Sequence, residues 1–259
     1  MLAVTESEPF DRDDWWYEWK WDGYRAIVSL ADRLRIYSRR GTDLLARFPE
    51  LDRLAWDLHG PVVLDGEIVA FDPGRGFDFF GLGARGGTDR WFIAFDCLYS
   101  GEGWHLSKPL AERLTHLARA VAGSDRLQVS PGWAGRGRDL LRVARAHGLE
   151  GVMAKRLSSG YRPGKRMHDW VKFLLYETER FTVARVRPDG RGGWRWEIRD
   201  PVRNLAAADI AAPKGWSPPA YSGGDWVRLA AEIRVLVAFR ERTASGRLRH
   251  AVLKAWEVG

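Results

Sequence analysis

The stretch Glu18-Trp19-Lys20-Trp21-Asp22-Gly23-Tyr24-Arg25 carries the most informative pattern in this chain of 259 residues. Lysine is rare here, and Lys20 ends an aromatic segment, Trp16–Trp21, that predicts a strand before a turn at Asp22-Gly23. Burial in such a place favours the neutral amine, which is the nucleophilic form. The alternative is an ordinary turn with an exposed lysine.

The sequence around this stretch predicts a first domain, residues 1–175, that mixes strands and helices. Alternating or continuous apolar runs predict strands at Tyr24–Leu30, Leu34–Ser38, Val62–Phe71, Arg90–Leu98, Glu150–Lys155 and Asp169–Leu175. Helical spacing of apolar residues predicts helices at Leu51–Leu58, Pro109–Ala122 and Gly137–His147.

The remaining residues, 176–259, have a different sequence pattern, with short predicted strands and no predicted helix, and this pattern predicts a second domain. Short strands are predicted at Phe181–Arg187, Trp194–Arg199, Trp226–Phe239 and Leu248–Trp256, with a loop at Lys214–Gly224. Such strands fit a small antiparallel barrel such as an OB-fold. This part holds 15 basic and 10 acidic residues and so most of the net charge of +7. That excess indicates a polyanion such as nucleic acid, or else only a solvated arginine-rich surface.

Charged side chains also interrupt several of the apolar strands of the first domain. Asp65 and Glu67 lie two residues apart, so strand alternation places both on one face. Carboxylates on such a face are costly unless they are paired or bind a metal. Lys155 and Lys172 are further cations in short apolar strands. Each of these features taken alone is also compatible with an ordinary salt bridge.

Composition excludes several classes of protein. The single cysteine, Cys97, excludes a disulfide framework, and the six scattered histidines show no metal-ligand spacing. No apolar run has the length of a transmembrane helix, and the first residues lack the pattern of a signal peptide. The sequence therefore predicts a soluble, intracellular protein.

Six short motifs occur in a characteristic order. They are K-x-D-G-x-R from Lys20, S-R-x-G from Ser38, D-G-E from Asp65, F-D at Phe95, E-G-V-M-x-K from Glu150 and W-x-K from Trp170. This order resembles the covalent nucleotidyltransferases, specifically ATP-dependent DNA ligases. Within them it is most similar to the ligase module of bacterial end-joining proteins.

The resemblance implies an α+β fold. A nucleotidyltransferase domain, ATP-grasp-like and built of antiparallel sheets with flanking helices, would be followed by the OB-fold β-barrel. It also implies nick sealing in three steps: attack of Lys20 on the α-phosphate of ATP, transfer of AMP to a 5′-phosphate, and displacement of AMP by a 3′-hydroxyl.

The resemblance further implies roles for other residues. Adenine would be bound by Glu18, Trp19 and Phe95, phosphate and ribose by Arg25 and Arg39, the α-phosphate by Lys172, and the nucleotide also by Lys155. A divalent metal would be held by Glu150 and Glu67. Alternatively, Glu67 would contact the ribose of the nucleotide. The neighbouring cations would also favour a neutral Lys20 by repulsion.

The implied cofactors are ATP and Mg²⁺, or Mn²⁺, and the implied substrate is nicked duplex DNA. A compact ligase without a further DNA-binding domain is expected to act as a monomer in the bacterial cytoplasm, at the nucleoid. It would rely on a partner such as an end-binding protein or a separately encoded repair polymerase.

Two departures from the family pattern bear on the reaction with ATP. Leu174 stands where the family usually has a second lysine, in the pattern K-x-K, and losing that cation would cost on the order of 2–4 kcal/mol. The family's final R-x-D-K does not follow Arg247-Leu248-Arg249-His250-Ala251. We therefore expect slow adenylylation of Lys20, with sealing of pre-adenylated DNA less affected.

Two other functions remain open from the sequence. One is a different covalent nucleotidyltransferase, either an RNA ligase or an mRNA-capping guanylyltransferase. The other is a degenerate ligase-like module that binds DNA without catalysis.

Overall fold

The computed structural model describes residues 1–72, 76–77, 82, 89–121, 126–219, 226–227, 229, 232–243 and 245–259. The chain divides into two compact units, Met1–Leu174 and Leu175–Gly259. The division lies beside the boundary that the sequence indicates near Leu175.

The first unit consists of short strands and three helical segments. Its strands are β1 (Leu2–Glu6), β2 (Trp15–Trp19), β3 (Tyr24–Leu30), β4 (Leu34–Ser38), β5 (Val62–Asp72), β6 (Gly76–Phe77), β7 (Asp89–Ser100), β8 (Gly103–Trp104), β9 (Leu127–Val129), β10 (Gly132–Ala134), β11 (Gly151–Arg156) and β12 (Arg166–Leu174). Its helices are a 3₁₀ helix (Pro49–Trp56), α1 (Leu110–Ala120) and α2 (Gly137–Ala146).

These strands form two sheets. In the described part of the chain the first sheet has the order β1-β12-β11-β2-β10, and only β1 runs parallel to its neighbour. The second has the order β4-β3-β5-β7-β8, with β6 added on β5 and β9 on β7. The chain passes from the first sheet to the second directly after β2, at the predicted turn.

The second sheet buries one face under helices. Leu64 and Ile68 of β5 join a large apolar cluster with Leu51 of the 3₁₀ helix and Leu117 of α1. Because side chains alternate along a strand, Val63, Asp65 and Glu67 project from the opposite face. A smaller cluster on that side brings Phe95 and Leu98 of β7 against Trp170 of β12. The two sheets therefore meet through a thin apolar layer that also contains charged groups.

The second unit is a separate antiparallel sheet. Its strands are β13 (Glu177–Pro188), β14 (Trp194–Arg199), β15 (Ala206–Ala211), β16 (Ile233–Phe239), β17 (Glu241–Arg242), β18 (Leu248–Arg249) and β19 (Val252–Val258). Among the described residues the order is β15-β14-β13-β16-β19, with β17 and β18 paired separately. Trp196 of β14 contacts Trp256 of β19, and the edge strands β15 and β19 approach each other. The sheet is therefore strongly curved.

Most of the predicted elements are present, with shifted bounds. The predicted helix at Leu51–Leu58 is instead a 3₁₀ helix, in which Leu51 and Leu54, three residues apart, are both buried. The predicted strand Trp226–Phe239 begins only at Ile233; residues 228, 230 and 231 lie outside the described residues. Part of the predicted loop Lys214–Gly224, residues 220–224, also lies outside them.

The sequence missed the longer strands β1, β9, β10 and β15, and also the two-residue strands β6, β8 and β17. β15 is alanine-rich, and alanine has a low preference for strands. β1 is an edge strand whose residues are only partly buried, so it shows little apolar alternation. No helix of the described part of the chain is long and apolar enough to cross a membrane.

A fully buried ion pair holds α1 on the second sheet. Arg113 of α1 donates to both carboxylate oxygens of Asp96 on β7, at 2.8 and 3.0 Å. The same guanidinium donates to the carbonyl oxygens of Lys108 and Ser159, at 2.6 and 2.8 Å. Each acceptor is thereby satisfied without water, so removal of the guanidinium leaves a buried carboxylate unpaired.

We expect Arg113→Ala to lower the free energy of unfolding of the first unit by about 3–5 kcal/mol, the cost of an uncompensated buried charge. Arg119→Ala, on the exposed side of the same helix, is the matched control and should change it by less than about 0.5 kcal/mol. Urea unfolding measures both variants. Equal stability of the two would show that the buried pair does not hold α1.

Candidate active site

Lys20 lies where the chain crosses from the first sheet to the second. The strand β2 ends at Trp19, and the Lys20 amide donates to the carbonyl oxygen of Gly151 at 3.0 Å. Three residues later, Gly23 packs directly on the backbone of Ile68 in β5, where a Cβ atom would overlap the carbonyl oxygen. Glycine is therefore required at this position of the turn, and both ends of the loop are fixed.

The Lys20 side chain is paired with Glu150. Its Nζ donates to Oε2 of Glu150 at 2.8 Å, and the two side chains are 22% and 6% exposed. The sequence predicted cations around this amine, and Arg39 and Lys172 do line the same cavity. The carboxylate partner is an additional contact that the sequence did not predict. Glu150 also precedes β11 rather than lying within it.

Gly151 fixes the position of Glu150. It has a φ of +148°, in the region that favours glycine, and a Cβ there would overlap the carbonyl oxygen of Phe173. The E-G pair of the motif E-G-V-M-x-K therefore brings the carboxylate against the amine of the motif K-x-D-G-x-R.

One cavity between the two sheets collects the predicted nucleotide-binding residues. The residues named from the sequence that line it are Glu18, Trp19, Lys20, Arg25, Arg39, Glu67, Phe95, Lys155 and Lys172. Glu150 itself does not line the cavity, but its carboxylate accepts a hydrogen bond from Lys20, which does. Side chains more than 100 residues apart in sequence thus converge on one concave surface.

The inner end of the cavity is aromatic. The Nζ of Lys155 lies 4.1 Å from the ring centre of Phe95 and 4.5 Å from that of Trp170. It also donates to the carbonyl oxygen of Phe95 and pairs with the buried Glu18. Met153 lines the same cavity. These groups make an aromatic wall with one buried ion pair at its side.

Glu18 retains an unused acceptor. Its Oε1 pairs with Lys155, whereas its buried Oε2 has no hydrogen-bond partner in the described part of the chain. Burial raises the pKa of Glu18 to about 7, although Lys155 opposes the shift. A buried, unsatisfied carboxylate oxygen is costly, so a ligand that donates a hydrogen bond here is favoured.

Arg25 is engaged more fully than the sequence predicted. Its Nε donates to Oδ1 of Asp65 at 2.9 Å, its Nη2 donates to Oδ2, and Tyr161 donates to the same Oδ2 at 2.7 Å. Burial lowers the pKa of Arg25, but Asp65 outweighs this and the net shift is upward. The guanidinium also lies over Phe95 and Trp170. Arg25 therefore forms part of the cavity wall and is held there by Asp65.

Glu67 is the second carboxylate of the cavity. Burial raises the pKa of Glu67 to about 8; Lys20 and Arg25 oppose this shift, whereas Glu150 adds to it. The described residues contain no group of three or more side chains that would hold a metal by themselves. Two carboxylates suit Mg²⁺, which typically uses one or two together with water and substrate phosphates. The residues present thus fit such an ion only in company with a phosphate ligand.

The sequence missed several wall residues: Leu2, Ala3, Trp21, Met153, Arg166 and Trp170. Strand alternation would have found two of them. Trp170 shares a strand face with Lys172, and Met153 shares one with Lys155. Leu2 and Ala3 belong to β1, which carried no signal in the sequence.

Comparison with known proteins agrees with this geometry. The family model described as "ATP dependent DNA ligase domain" matches residues 1–173. The multifunctional non-homologous end joining DNA repair protein LigD of Mycobacterium tuberculosis is 38% identical over 185 residues, 70% of this chain. That match covers 23% of LigD, so the chain spans about a quarter of the length of these relatives.

Two further comparisons cover nearly the whole chain. The SPbeta prophage-derived DNA ligase-like protein LigB of Bacillus subtilis is 31% identical over 274 residues, 100% of this chain and 98% of LigB. The solved structure of mycobacterial DNA ligase D complexed with ATP and MES superposes with a TM-score of 0.62 at 29% identity, covering 99% and 93% of the two chains. This chain belongs to the ATP-dependent DNA ligase domain family.

Proposed function

We propose that the chain is an ATP-dependent DNA ligase that seals nicks or ends in duplex DNA through a lysine–AMP intermediate. In the first step, the Nζ of Lys20 forms a bond to the α-phosphorus of ATP. The bond from that phosphorus to the bridging oxygen breaks, and pyrophosphate leaves. AMP then passes to a 5′-phosphate, and attack by a 3′-hydroxyl releases it.

The observation that carries this proposal is the contact between Lys20 and Glu150 at the edge of a cavity that the motif residues line. An ammonium has no lone pair, so Lys20 must lose a proton before it attacks. Glu150 Oε2 lies 2.8 Å from Nζ, within range for direct proton transfer. The pair therefore supports a role for Glu150 as proton acceptor and as holder of the amine.

The aromatic end of the cavity suits adenine. Phe95 and Met153 line the cavity and offer apolar surface for the ring, and Trp170 packs edge-on against Phe95. The unused Oε2 of Glu18 is an acceptor for the exocyclic amine of adenine, which guanine lacks at that position. This arrangement favours ATP over GTP and so a ligase over a capping guanylyltransferase.

The opposite end suits the phosphates. Arg39 and Lys172 line the cavity beside Lys20, and phosphoryl transfer depends on such cations to neutralise charge on the transferring group. Glu67 and Glu150 would hold Mg²⁺ or Mn²⁺, which when bound would neutralise phosphate charge. Arg25, held by Asp65, would position the ring of Phe95 and contact the ribose.

The second unit would be an OB-fold domain that contributes to DNA binding. Its support is the curved antiparallel sheet, the approach of its edge strands and its excess of arginine. We propose nicked DNA as the substrate and the bacterial cytoplasm, at the nucleoid, as the location, with the chain acting as a monomer. The names of the LigD relatives support a role in end joining. We propose an end-binding protein or a separately encoded repair polymerase as the partner.

Lys20→Ala and Lys20→Arg are both expected to abolish covalent labelling of the chain by ATP carrying a radioactive α-phosphate. Arginine keeps the positive charge beside Glu150, but its guanidinium stays protonated and so has no lone pair with which to attack phosphorus. Loss of labelling in both variants would therefore show that the reaction needs a nucleophilic amine at this position and not only a positive charge. Persistent labelling of Lys20→Arg would mean that another residue carries the AMP, whereas an unlabelled native chain would indicate a module without catalysis.

Glu150→Gln should slow lysine adenylylation by about 10²–10³-fold, because an amide does not accept the proton from Nζ. Single-turnover labelling at saturating ATP measures the rate. The matched control is Glu112→Gln, an exposed carboxylate of α1, which should react like the native chain. A rate of Glu150→Gln within twofold of the control would remove Glu150 from the first step.

Leu174→Lys is expected to accelerate adenylylation by about tenfold or more, since it adds a cation on the phosphate side. Leu174 pairs with Gly151, whose carbonyl accepts from the Lys20 amide, and it shares the strand face of Lys172. Leu174→Gln makes the same position polar without adding a charge, and its rate of adenylylation should stay close to that of the native chain. Sealing of pre-adenylated nicks, measured in parallel, should change less than the first step; equal gains in both would contradict this explanation.

A further inference from the structure

A tyrosine that belongs to none of the six motifs completes the buried contact between Arg25 and Asp65. The Tyr161 hydroxyl donates to Oδ2 of Asp65 at 2.7 Å, and Nη2 of Arg25 lies 3.4 Å from the same hydroxyl oxygen. Tyr161 is buried and Asp65 is completely enclosed. Burial and the charge of Asp65 both raise the pKa of Tyr161, so the hydroxyl keeps its proton and acts as a donor.

The position of Tyr161 does not depend on this hydroxyl. The Tyr161 amide donates to the carbonyl oxygen of Leu106 at 2.7 Å. Two residues earlier, the carbonyl oxygen of Ser159 accepts a hydrogen bond from the buried Arg113 at 2.8 Å. The ring packs edge-on against Trp170, with 5.8 Å between ring centres. Removal of the hydroxyl oxygen alone should therefore leave the backbone and the ring in place.

The contact with Asp65 determines which nitrogen of Arg25 is left for a ligand. A guanidinium is planar, and its N–H groups point in fixed directions. Asp65 accepts from Nε and Nη2, which form one edge of the group. Among the described residues Nη1 has no hydrogen-bond partner, and Arg25 lines the cavity beside Lys20. Nη1 is therefore the donor that remains for a bound nucleotide.

The hydroxyl of Tyr161 restricts how Asp65 can turn. The outer torsion of an aspartate side chain has broad energy minima, so a carboxylate that binds only one partner is free to turn together with that partner. The second donor on Oδ2 comes from a different strand connection and removes this freedom. The direction of Nη1 depends on the same restriction, because the guanidinium is held by both carboxylate oxygens.

We propose that Tyr161 is a positioning residue for nucleotide binding, which acts through Asp65 to aim Nη1 of Arg25 at a ribose hydroxyl. The chain consequently prefers a ribonucleotide to its deoxy analogue. The inference rests on the proposed function for its choice of ATP as the ligand, and it deepens that function at the ribose.

The test is isothermal titration calorimetry with ATP, 2′-deoxy-ATP and 3′-deoxy-ATP, with divalent metal removed by a chelator so that no AMP is transferred. The native chain should bind ATP at least about tenfold more tightly than one of the two analogues, because that analogue lacks the hydroxyl that meets a charged donor. Tyr161→Phe should lower this preference to about threefold or less. The loss should arise from weaker binding of ATP, with the affinity for the analogue within about twofold of the native value.

Tyr17→Phe is the matched control. Tyr17 of β2 is completely buried and does not line the cavity, and its hydroxyl accepts a hydrogen bond from the Arg12 amide at 3.2 Å. This variant also loses one hydrogen-bonded hydroxyl from the first unit, so it reproduces a general loss of stability. It should keep the native preference for ATP. Circular dichroism checks that both variants fold.

A further variant tests whether Tyr161 acts through Arg25. Arg25→Lys keeps a positive charge beside Asp65 but has no Nη1. Adding Tyr161→Phe to Arg25→Lys should change the preference by less than about twofold, since the group that Tyr161 aims is already absent. The same loss of preference in both backgrounds would show that Tyr161 acts independently of Arg25 and would overturn the proposal.

Two other results would also contradict it: a native preference retained in Tyr161→Phe, or equal binding of ATP and both analogues by the native chain. The assay involves no chemistry, so these results are separate from a failure of Lys20 to form its AMP adduct. Preference lost in Tyr161→Phe, with no adduct on the native chain, would support the role of Tyr161 and remove the ligase activity.

Discussion

Four ion pairs in and beside the two sheets constrain the rest of the first unit. Asp96 is neutralised by Arg113, Asp65 by Arg25, Glu18 by Lys155, and Glu150 by Lys20. An unpaired charge in such a place costs several kcal/mol, so the strands that supply opposite charges must keep their register. The strands bring these partners together from distant parts of the chain.

These pairs differ in what a ligand would do to them. The pairs of Asp96 and Asp65 are closed, since hydrogen-bond donors surround both oxygens of each carboxylate. Glu18, in contrast, keeps one oxygen unsatisfied. The fully hydrogen-bonded pairs of Asp96 and Asp65 hold the walls of the cavity in place. The free oxygen of Glu18 offers a hydrogen-bond acceptor to an incoming nucleotide. Lys20 and Glu150 form the most accessible pair, and only there does the proposed chemistry require the proton to move.

Residues that line the cavity were easier to find in the sequence than the edge strands of the surrounding sheets. Motif residues such as Glu67 and Lys172 are charged groups in apolar strands, and Lys20 directly follows one, so the conflict with burial marks them in the sequence. Edge strands such as β1 and β15 have no such conflict and no strong alternation, so they were missed. The pairing of Lys20 with Glu150 was missed because sequence spacing gives no distance between atoms of separate strands. Strand alternation places Met153 on the face of Lys155 and Trp170 on the face of Lys172, so both positions could have been predicted from the sequence. That they line a cavity became apparent only from the structure, in which the second sheet faces these strands.

A crystal structure of the chain after incubation with ATP and Mg²⁺ tests the central claim most directly. The account predicts continuous electron density from the Nζ of Lys20 to the phosphorus of AMP, with adenine against Phe95 and its amine within hydrogen-bond distance of Glu18. It also predicts that Glu150 no longer contacts Nζ. Nucleotide bound outside this cavity, or bound within it while Lys20 remains paired with Glu150 and unmodified, would contradict the account.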